Sequence, residues 1–346
     1  MRGKVLVTGH DGYIGAVLTP RLVRSGYDVV GLDTGYFSKC LLGEEPAKVP
    51  TIAKDLRDVE ASDLKGFDAI VHLGALSNDP VGNLNKGWTE DINFHASVRL
   101  AKAAKQAGIK RFVFSSSCIM YGLSEAQFVD ENAPLNPQTD YARSKVQTEE
   151  ALQGLADDTF SPVYVRNGTV YGLSPRQRLD TVLNGFVAEA LTTGHVTMHS
   201  DGEPWRPVVH VDDLARTFEL YLSAPTEIVH NQAFNNGADH LNYKIRAIGE
   251  AAVKAVPGAK LTIEARPGAD QRTYRASFAK FAKTFPDFKF EWTPESGAIQ
   301  LADAFKGVGL DKVAVASGRF VRLSWLKHLI DEGRLDEDLK WRGNNG

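Results

Sequence analysis

A tyrosine and a lysine one helical turn apart, Tyr141-Ala142-Arg143-Ser144-Lys145, follow a serine run, Ser115-Ser116-Ser117. On a helix, residues at this spacing share a face, so the Lys145 ammonium stands near the Tyr141 phenol and favours its ionised form. The phenol then becomes a usable base. A serine from a neighbouring strand end can hydrogen-bond the same substrate oxygen, which gives an alcohol to be oxidised both a proton acceptor and an orienting partner. Nearer the N-terminus stands Gly9-His10-Asp11-Gly12-Tyr13-Ile14-Gly15. Three glycines there leave backbone amides and a helix N-terminus open to a pyrophosphate. Asp33 comes roughly twenty residues later, where a carboxylate holds an adenosine ribose and repels a 2′-phosphate. The expected cofactor is therefore NAD rather than NADP. Asp55 and Leu56 are placed to meet the adenine edge, with an ordinary acidic turn as the alternative reading.

These residues need strand ends and helix starts to carry them, and the pattern supplies both. Val5 to Thr8 reads as a strand, Tyr13 to Arg24 as a helix and Asp28 to Leu32 as a second strand, with Gly26 at the turn. Ala69 to Leu73, a helix from Asn93 to Ala107 and Arg111 to Ser115 continue the rhythm. Tyr141 to Leu155 and Val163 to Arg166 extend it. Such alternation predicts an α/β fold, a doubly wound parallel sheet covered by helices on both faces. Beyond Gly172 the pattern loosens into a smaller C-terminal α/β lobe interleaved with the first. The expected division is a dinucleotide-binding domain over 1–172 with a return segment near 205–240, and a substrate lobe from 173–204 and 241–346. Phe320, Leu323, Leu326 and Ile330 predict a capping helix on that lobe.

Composition narrows the class. With 346 residues, 43% hydrophobic and 24% charged, the chain can bury a large core. A formal charge of −3 gives no basic field, so nucleic acid is not expected as a partner. No apolar run reaches membrane length, and the N-terminal run is too short for a signal peptide. Cys40 and Cys118 make no disulfide framework, which fits a reducing compartment and a cytoplasmic location. No metal ligands are nominated.

Taken in order, Gly9-x-x-Gly12-x-x-Gly15, Asp33, His72-Leu73-Gly74-Ala75, Asn93, Ser115-Ser116-Ser117, Tyr141-x-x-x-Lys145 and Val211-Asp212-Asp213 resemble the extended short-chain dehydrogenase/reductases. The chain looks like a nucleotide-sugar epimerase/dehydratase of that superfamily, over nearly its whole length. The resemblance implies a Rossmann domain, tightly held NAD and a lobe gripping a nucleoside diphosphate sugar. It implies Ser117, Tyr141 and Lys145 as the catalytic set. Cofactor contacts are implied at Gly9, Gly12, Tyr13, Ile14, Gly15, Asp33, Leu73, Ala75, Asn93 and Ser115, as well as at Tyr141 and Lys145. Related enzymes pair through the helices corresponding to Asn93 to Ala107 and Tyr141 to Leu155, which implies a homodimer.

The reaction type depends on what else handles protons. Oxidation of a sugar hydroxyl followed by re-reduction on the other face gives a 4-epimer with no further acid or base. Dehydration or 3,5-epimerisation needs one. The 4,6-dehydratases carry an Asp-Glu pair directly after the Ser/Thr, where Cys118 and Ile119 stand here. The run Ser116-Ser117-Cys118-Ile119-Met120-Tyr121 resembles that of GDP-fucose synthases and GDP-mannose 3,5-epimerases, whose cysteine moves an α proton. Cys118 is accordingly nominated for the catalytic set, with a small buried packing residue as the alternative reading, and aligning on Tyr121-Gly122 puts Ile119 at that position.

For the substrate, Ser77, Asn78 and Asp79 follow a strand end where open sheets bind ligands. Arg206 in Trp205-Arg206-Pro207 resembles the family's diphosphate clamp, a task suited to guanidinium geometry, and Arg272 is a second candidate. Thr169 stands where the family more often has Asn, and Arg178 opens a helix of the smaller lobe. The leading reading is an NAD-dependent nucleotide-sugar epimerase working through a transient keto-sugar. A reductase of nucleotide keto-sugars is the alternative. A non-catalytic NAD-binding regulator is disfavoured, because Tyr141 and Lys145 are both present.

Overall fold

Short β-branched runs bounded by glycine build the centre of the molecule. The computed structural model describes residues 2–77, 85–124, 127–266 and 272–343. Seven parallel strands form the main sheet: β1 (Lys4–Thr8), β2 (Asp28–Asp33), β3 (Thr51–Ala53), β4 (Ala69–His72), β5 (Arg111–Ser117), β6 (Ser161–Asn167) and a late-returning strand, Gln232–Asn236. Their spatial order is Gln232–Asn236, β6, β5, β4, β1, β2, β3. The order reverses at β1, so the loops leaving β1 and β4 part company and open a crevice between them.

Alternate residues of the same strands face opposite helical layers. Val5, Val7, Val29, Val71 and Val163 pack on Leu18 and Leu22 of α1 (Gly15–Arg24), together with Leu214 and Phe218 from the Val211–Ser223 helix. On the other face Leu6, Leu32, Ile70, Phe112 and Tyr164 bury Leu100 and Ala104 of α2 (Ala96–Gln106) and Leu152 of α3 (Asp140–Gln153). Each such large side chain contributes roughly 1.5–3 kcal/mol by leaving water. This is the doubly wound sheet that the alternation predicted.

The smaller lobe has two further sheets. β7 (Thr169–Tyr171) pairs in parallel with β9 (Trp205–His210), which pairs antiparallel with Asn242–Lys244; β8 (His195–Met198) pairs in parallel with Lys260–Ile263. Helices α4 (Val182–Thr193), Ile245–Ala255 and Pro294–Gly307 close a core of Leu183, Val187, Ile248, Ala252, Leu301 and Phe305. Within the stretch 205–240, the strand Gln232–Asn236 joins the parallel sheet while β9 stays with β7.

The C-terminal helix departs from expectation. Phe320 packs into the smaller lobe's core, but Leu326 and Leu329 of the Arg322–Asp331 helix bury against Tyr36, Leu76 and Ile92, beyond β2 and β4. Indole N–H groups need buried acceptors, and they find them there: Trp325 Nε1 donates to the Tyr36 carbonyl and Trp341 Nε1 to the Thr34 carbonyl, both at 2.7 Å. Among the described residues no helix is long and apolar enough to cross a membrane.

Candidate active site

The loop after β1 is built on backbone contact. Gly9 has φ +71°, and a Cβ there would come within 2.9 Å of the Gly74 nitrogen in the loop after β4. A Cβ on Gly15 would lie 2.2 Å from the Gly9 carbonyl oxygen, so α1 starts as close to the turn as only glycine permits. Gly12, Tyr13, Ile14 and Gly15 line a cavity of about 510 Å³ with the N-terminus of α1 at its wall. The Tyr13 hydroxyl is turned to the smaller lobe, donating to the Gly172 carbonyl at 2.7 Å and accepting from Asn184 at 3.0 Å. It fastens that lobe onto the glycine turn.

Asp33 ends β2 on the same cavity. Its carboxylate accepts the Asp11 amide at 3.1 Å and the Gly35 amide at 2.8 Å, which fixes its direction and leaves lone pairs for hydroxyl donors. Asp55 and Leu56 also line this end. Burial works to raise the Asp55 carboxyl, but hydrogen bonds from Arg57 outweigh it and hold it below the usual range.

Across the crevice, β5 carries Ser115, Ser116 and Ser117 onto the wall that also holds Tyr141. Ser117 Oγ accepts the Ile119 amide at 3.3 Å, capping one turn of 3-10 helix. Thr139 caps α3 through the Ala142 amide at 3.1 Å, which starts the helix one residue before Tyr141. Lys145, one turn on, is 4% exposed and places Nζ 5.5 Å from the Tyr141 ring centre. It donates to the Ser115 carbonyl at 2.7 Å. Burial pushes the Lys145 ammonium down to about 8, with Glu149 opposing. It stays largely charged at neutral pH, as support for a phenolate requires.

The wall continues with Ser77, Thr169, Arg178, Arg206 and Arg272. Arg178 donates to Ser77 Oγ at 3.1 Å and grips Asp180 through two nitrogens, at 2.9 and 3.0 Å. Arg206 Nη1 donates to the carbonyls of Trp205 and Arg272, so the two candidate diphosphate arginines stand together. Residues 5–237 match the sequence profile of the NAD dependent epimerase/dehydratase family. The chain belongs to that family.

Relatives in the epimerase/dehydratase family resemble it along most of its length. The UDP-glucose 4-epimerase of Corynebacterium glutamicum is 28% identical over 84% of this chain and 91% of its own. The Thermus thermophilus UDP-glucose 4-epimerase, solved in complex with NAD, superposes with a TM-score of 0.73 at 25% identity, covering 88% of this chain and 99% of that one. An NAD-dependent NDP-hexosamine 5,6-dehydratase of tunicamycin biosynthesis superposes with a TM-score of 0.78 at 22% identity over 88% of this chain and 98% of its own, a likeness of fold. The protein is thus an NAD-dependent enzyme of the extended short-chain dehydrogenase/reductase type.

The cavity fits that cofactor. It runs from Asp33 and Leu56, beyond β2 and β3, past the glycine turn to Ser117 and Tyr141 beyond β5, and Leu73 and Ala75 line its floor. Gly9 and Gly15 leave the backbone open to close approach of a pyrophosphate, and Asp33 is the residue that would accept from a ribose. Held between the glycine turn and Asp33, NAD would supply a hydride acceptor and donor beside Ser117 and Tyr141.

Several expected residues stand elsewhere. Cys118 is not on the cavity: it is 0% exposed, its thiol faces the Arg166 carbonyl at 3.1 Å, and Tyr121, Val129, Tyr274 and Phe278 enclose it. Burial pushes that thiol far above the ordinary cysteine range, and the thiolate needed for proton transfer is disfavoured. Its catalytic reading is therefore corrected to packing, and Ile119 lines the cavity in its place. Asn93 is also off the wall. Its side chain accepts the Leu76 amide at 2.7 Å and donates to the Leu76 carbonyl at 3.0 Å, which shapes the loop after β4. Lys145 stands behind Tyr141 rather than on the wall itself. Asn78 and Asp79 lie outside the described residues.

Asn167 and Arg322 are among the site residues that escaped the sequence reading. Asn167 lines the cavity and donates to Ser115 Oγ and the Ser116 carbonyl, both at 3.1 Å. An Asn closing the apolar strand Val163 to Arg166, beside the serine strand, was the available signal. Arg322 also lines the cavity, and no motif surrounds it.

Proposed function

We propose that the protein is a nucleotide-sugar 4-epimerase that acts on a UDP-sugar through a transient 4-keto intermediate. The observation that carries this reading is the set of groups on the wall. Tyr141, backed by Lys145, can take the proton of a sugar hydroxyl while Ser117 orients the oxygen. Beside them stands Ile119, which moves no proton. Among the described residues the carboxylates on the wall are Asp33, Asp55 and Asp180, and each is already held: by backbone amides, by Arg57 and by Arg178. Oxidation and re-reduction at one carbon needs no further acid or base, whereas dehydration does.

Arg206 and Arg272 would meet the substrate diphosphate, with Ser77, Thr169 and Arg178 toward the sugar. The UDP-glucose 4-epimerase relatives support the uridine nucleotide. A homodimer through α2 and α3, and a cytoplasmic location consistent with the two free buried thiols, complete the reading. The test is incubation with UDP-glucose in deuterated water without added NADH, followed by NMR. Inversion at C4 without deuterium is expected. Deuterium at C3 or C5, or silence until NADH and a keto-sugar are supplied, would replace this reading with an enolising enzyme or a reductase.

A further inference from the structure

The stretch Arg322 to Trp341 lies beyond the residues that match the family, 5–237, yet it reaches back over the cofactor crevice. Its attachment is firm. Besides the two tryptophan hydrogen bonds to Thr34 and Tyr36, Arg57 Nη1 donates to the Asp338 carbonyl at 2.7 Å and Trp88 Nε1 to the Glu337 carbonyl at 2.8 Å. Leu326, Leu329, Leu335 and Leu339 bury in the same place. The partners Thr34 and Tyr36 follow β2, and Leu76 follows β4. Those two strands flank β1. The Arg322–Asp331 helix thus lies over the loops that follow β2 and β4, on either side of β1, and its first turn holds no acidic residue.

Arg322 is the residue at that point. It is 4% exposed and lines the cavity. Its Nη2 donates to the Arg176 carbonyl at 2.8 Å, its backbone N–H to Asp180 Oδ2 at 3.3 Å, and its guanidinium lies 4.4 Å from the Phe37 ring centre. Nη1 has no hydrogen-bond partner among the described residues. Neighbouring acids are committed elsewhere: Asp180 to Arg178, and Asp11 and Glu45 to Arg176. The adjacent Cys40 thiol, pushed up to about 11 by burial, is neutral at ordinary pH. Burial, with the Arg178 charge adding to it, pushes Arg322 itself down to about 10, so the group still carries its charge. Among the described residues the Arg322 guanidinium forms no ion pair of its own, and a buried cation so placed gains when an anion arrives.

We infer that Arg322 is a binding residue for the pyrophosphate of NAD, brought across the crevice by the C-terminal helix to face the glycine turn. Its neighbours place it there. Phe37 belongs to the adenosine side beyond β2, while Arg178, tied to Ser77, belongs to the nicotinamide side beyond β4; the pyrophosphate crosses between them. The turn Gly9 to Gly15 carries no Lys or Arg of its own and offers an anion its amides and the partial charge of a helix end. Its one carboxylate, Asp11, is paired with Arg176. Arg322 supplies the full positive charge that this turn lacks.

The inference rests on the family's NAD dependence and not on the proposed sugar chemistry, so its test uses no sugar. Holoenzyme and its Arg322→Met and Arg322→Lys variants are challenged with excess isotope-labelled NAD, and release of the original cofactor is followed by mass spectrometry. Loss of a charged hydrogen bond predicts at least about tenfold faster exchange in Arg322→Met, with Arg322→Lys between it and the parent. Affinity for UDP, measured by calorimetry on the same proteins, stays unchanged. Exchange within twofold of the parent overturns the inference, and so does a loss of UDP binding with NAD retention intact. Equal effects of the two variants would make the side chain a packing element and overturn it as well. Should Arg322→Met fail to fold, Arg322→Lys decides: with unaltered melting it must release NAD measurably faster.

Discussion

The Lys145 ammonium donates to the Ser115 carbonyl at 2.7 Å, joining the helix that carries Tyr141 to the strand that carries Ser117. One side chain thereby bears on both the charge beside the Tyr141 phenol and the spacing of that phenol from the Ser117 hydroxyl. Lys145→Met keeps the length of the chain and removes both. The expected result is a kcat reduced by about 10²–10⁴-fold and a stability loss of about 1–3 kcal/mol from the stranded Ser115 carbonyl. Steady-state kinetics with urea unfolding check the pair. A variant that lost stability but kept its kcat would reduce Lys145 to a structural tie.

Tyr141→Phe separates chemistry from binding. The ring remains to pack, so NAD content after gel filtration should match the parent, while kcat falls by about 10²–10⁴-fold. Retention of a tenth or more of the parent kcat would remove Tyr141 from the role of base.

Cys118→Ala tests the correction made at that position. The thiol is enclosed and off the cavity, so kcat should stay within about threefold while stability falls by roughly 1 kcal/mol. A thiol-directed reagent should fail to label Cys118 in the native protein. A large fall in kcat with unchanged melting would return Cys118 to the mechanism.

What the sequence disclosed follows from distance along the chain. Gly9, Gly12 and Gly15, and Tyr141 with Lys145, act within one turn or loop, so their spacing carries their meaning. The parallel sheet was readable for the same reason, from strand and helix periods repeated in order. Cys118 misled because its direction depends on how β5 passes into the turn over Cys118–Tyr121, and the additional Met120 alters what neighbouring positions face. Asn93 was expected to open a helix and does lie in a helical segment, Glu90–His95, but its hydrogen bonds to Leu76 are a tertiary detail. Arg322 was out of reach altogether. Its Nη2 bonds a carbonyl 146 residues away, and nothing local to Val321 or Leu323 indicates a ligand.

His72 gives a pH test of the buried architecture. Its Nδ1 faces Thr8 Oγ1 at 2.7 Å and its Nε2 faces Ser97 Oγ at 2.8 Å, clipping β4 to β1 and to α2. Burial, then the Lys145 charge, pushes it down to about 3; burial likewise pushes His210 down to about 4. A base whose folded pKa is depressed binds fewer protons than its unfolded form. Stability should therefore fall as pH drops below 6.5, by up to about 1.4 kcal/mol per pH unit for each histidine. Urea midpoints measured between pH 7 and pH 5 should show this slope, and His72→Gln should reduce it by one proton's share. An unchanged slope in the variant would mean that His72 is not held neutral in the fold.

Asp33 is expected to decide which dinucleotide is taken, and the choice of substitution matters. Its carboxylate receives the amides of Asp11 and Gly35, so removing the whole side chain would strand two donors and loosen the loop after β2 along with the ribose contact. Asp33→Asn keeps the shape and one acceptor oxygen while removing the charge that repels a 2′-phosphate. NAD should bind more weakly, because a charged acceptor for ribose hydroxyls becomes a neutral one. The preference for NAD over NADP should narrow by about tenfold, the worth of one charge-assisted interaction. Dissociation constants for both dinucleotides, from titration of parent and variant, give the ratio directly. If the preference moves by less than twofold, discrimination resides in the shape of the loop over Thr34 to Phe37 and not in the Asp33 charge.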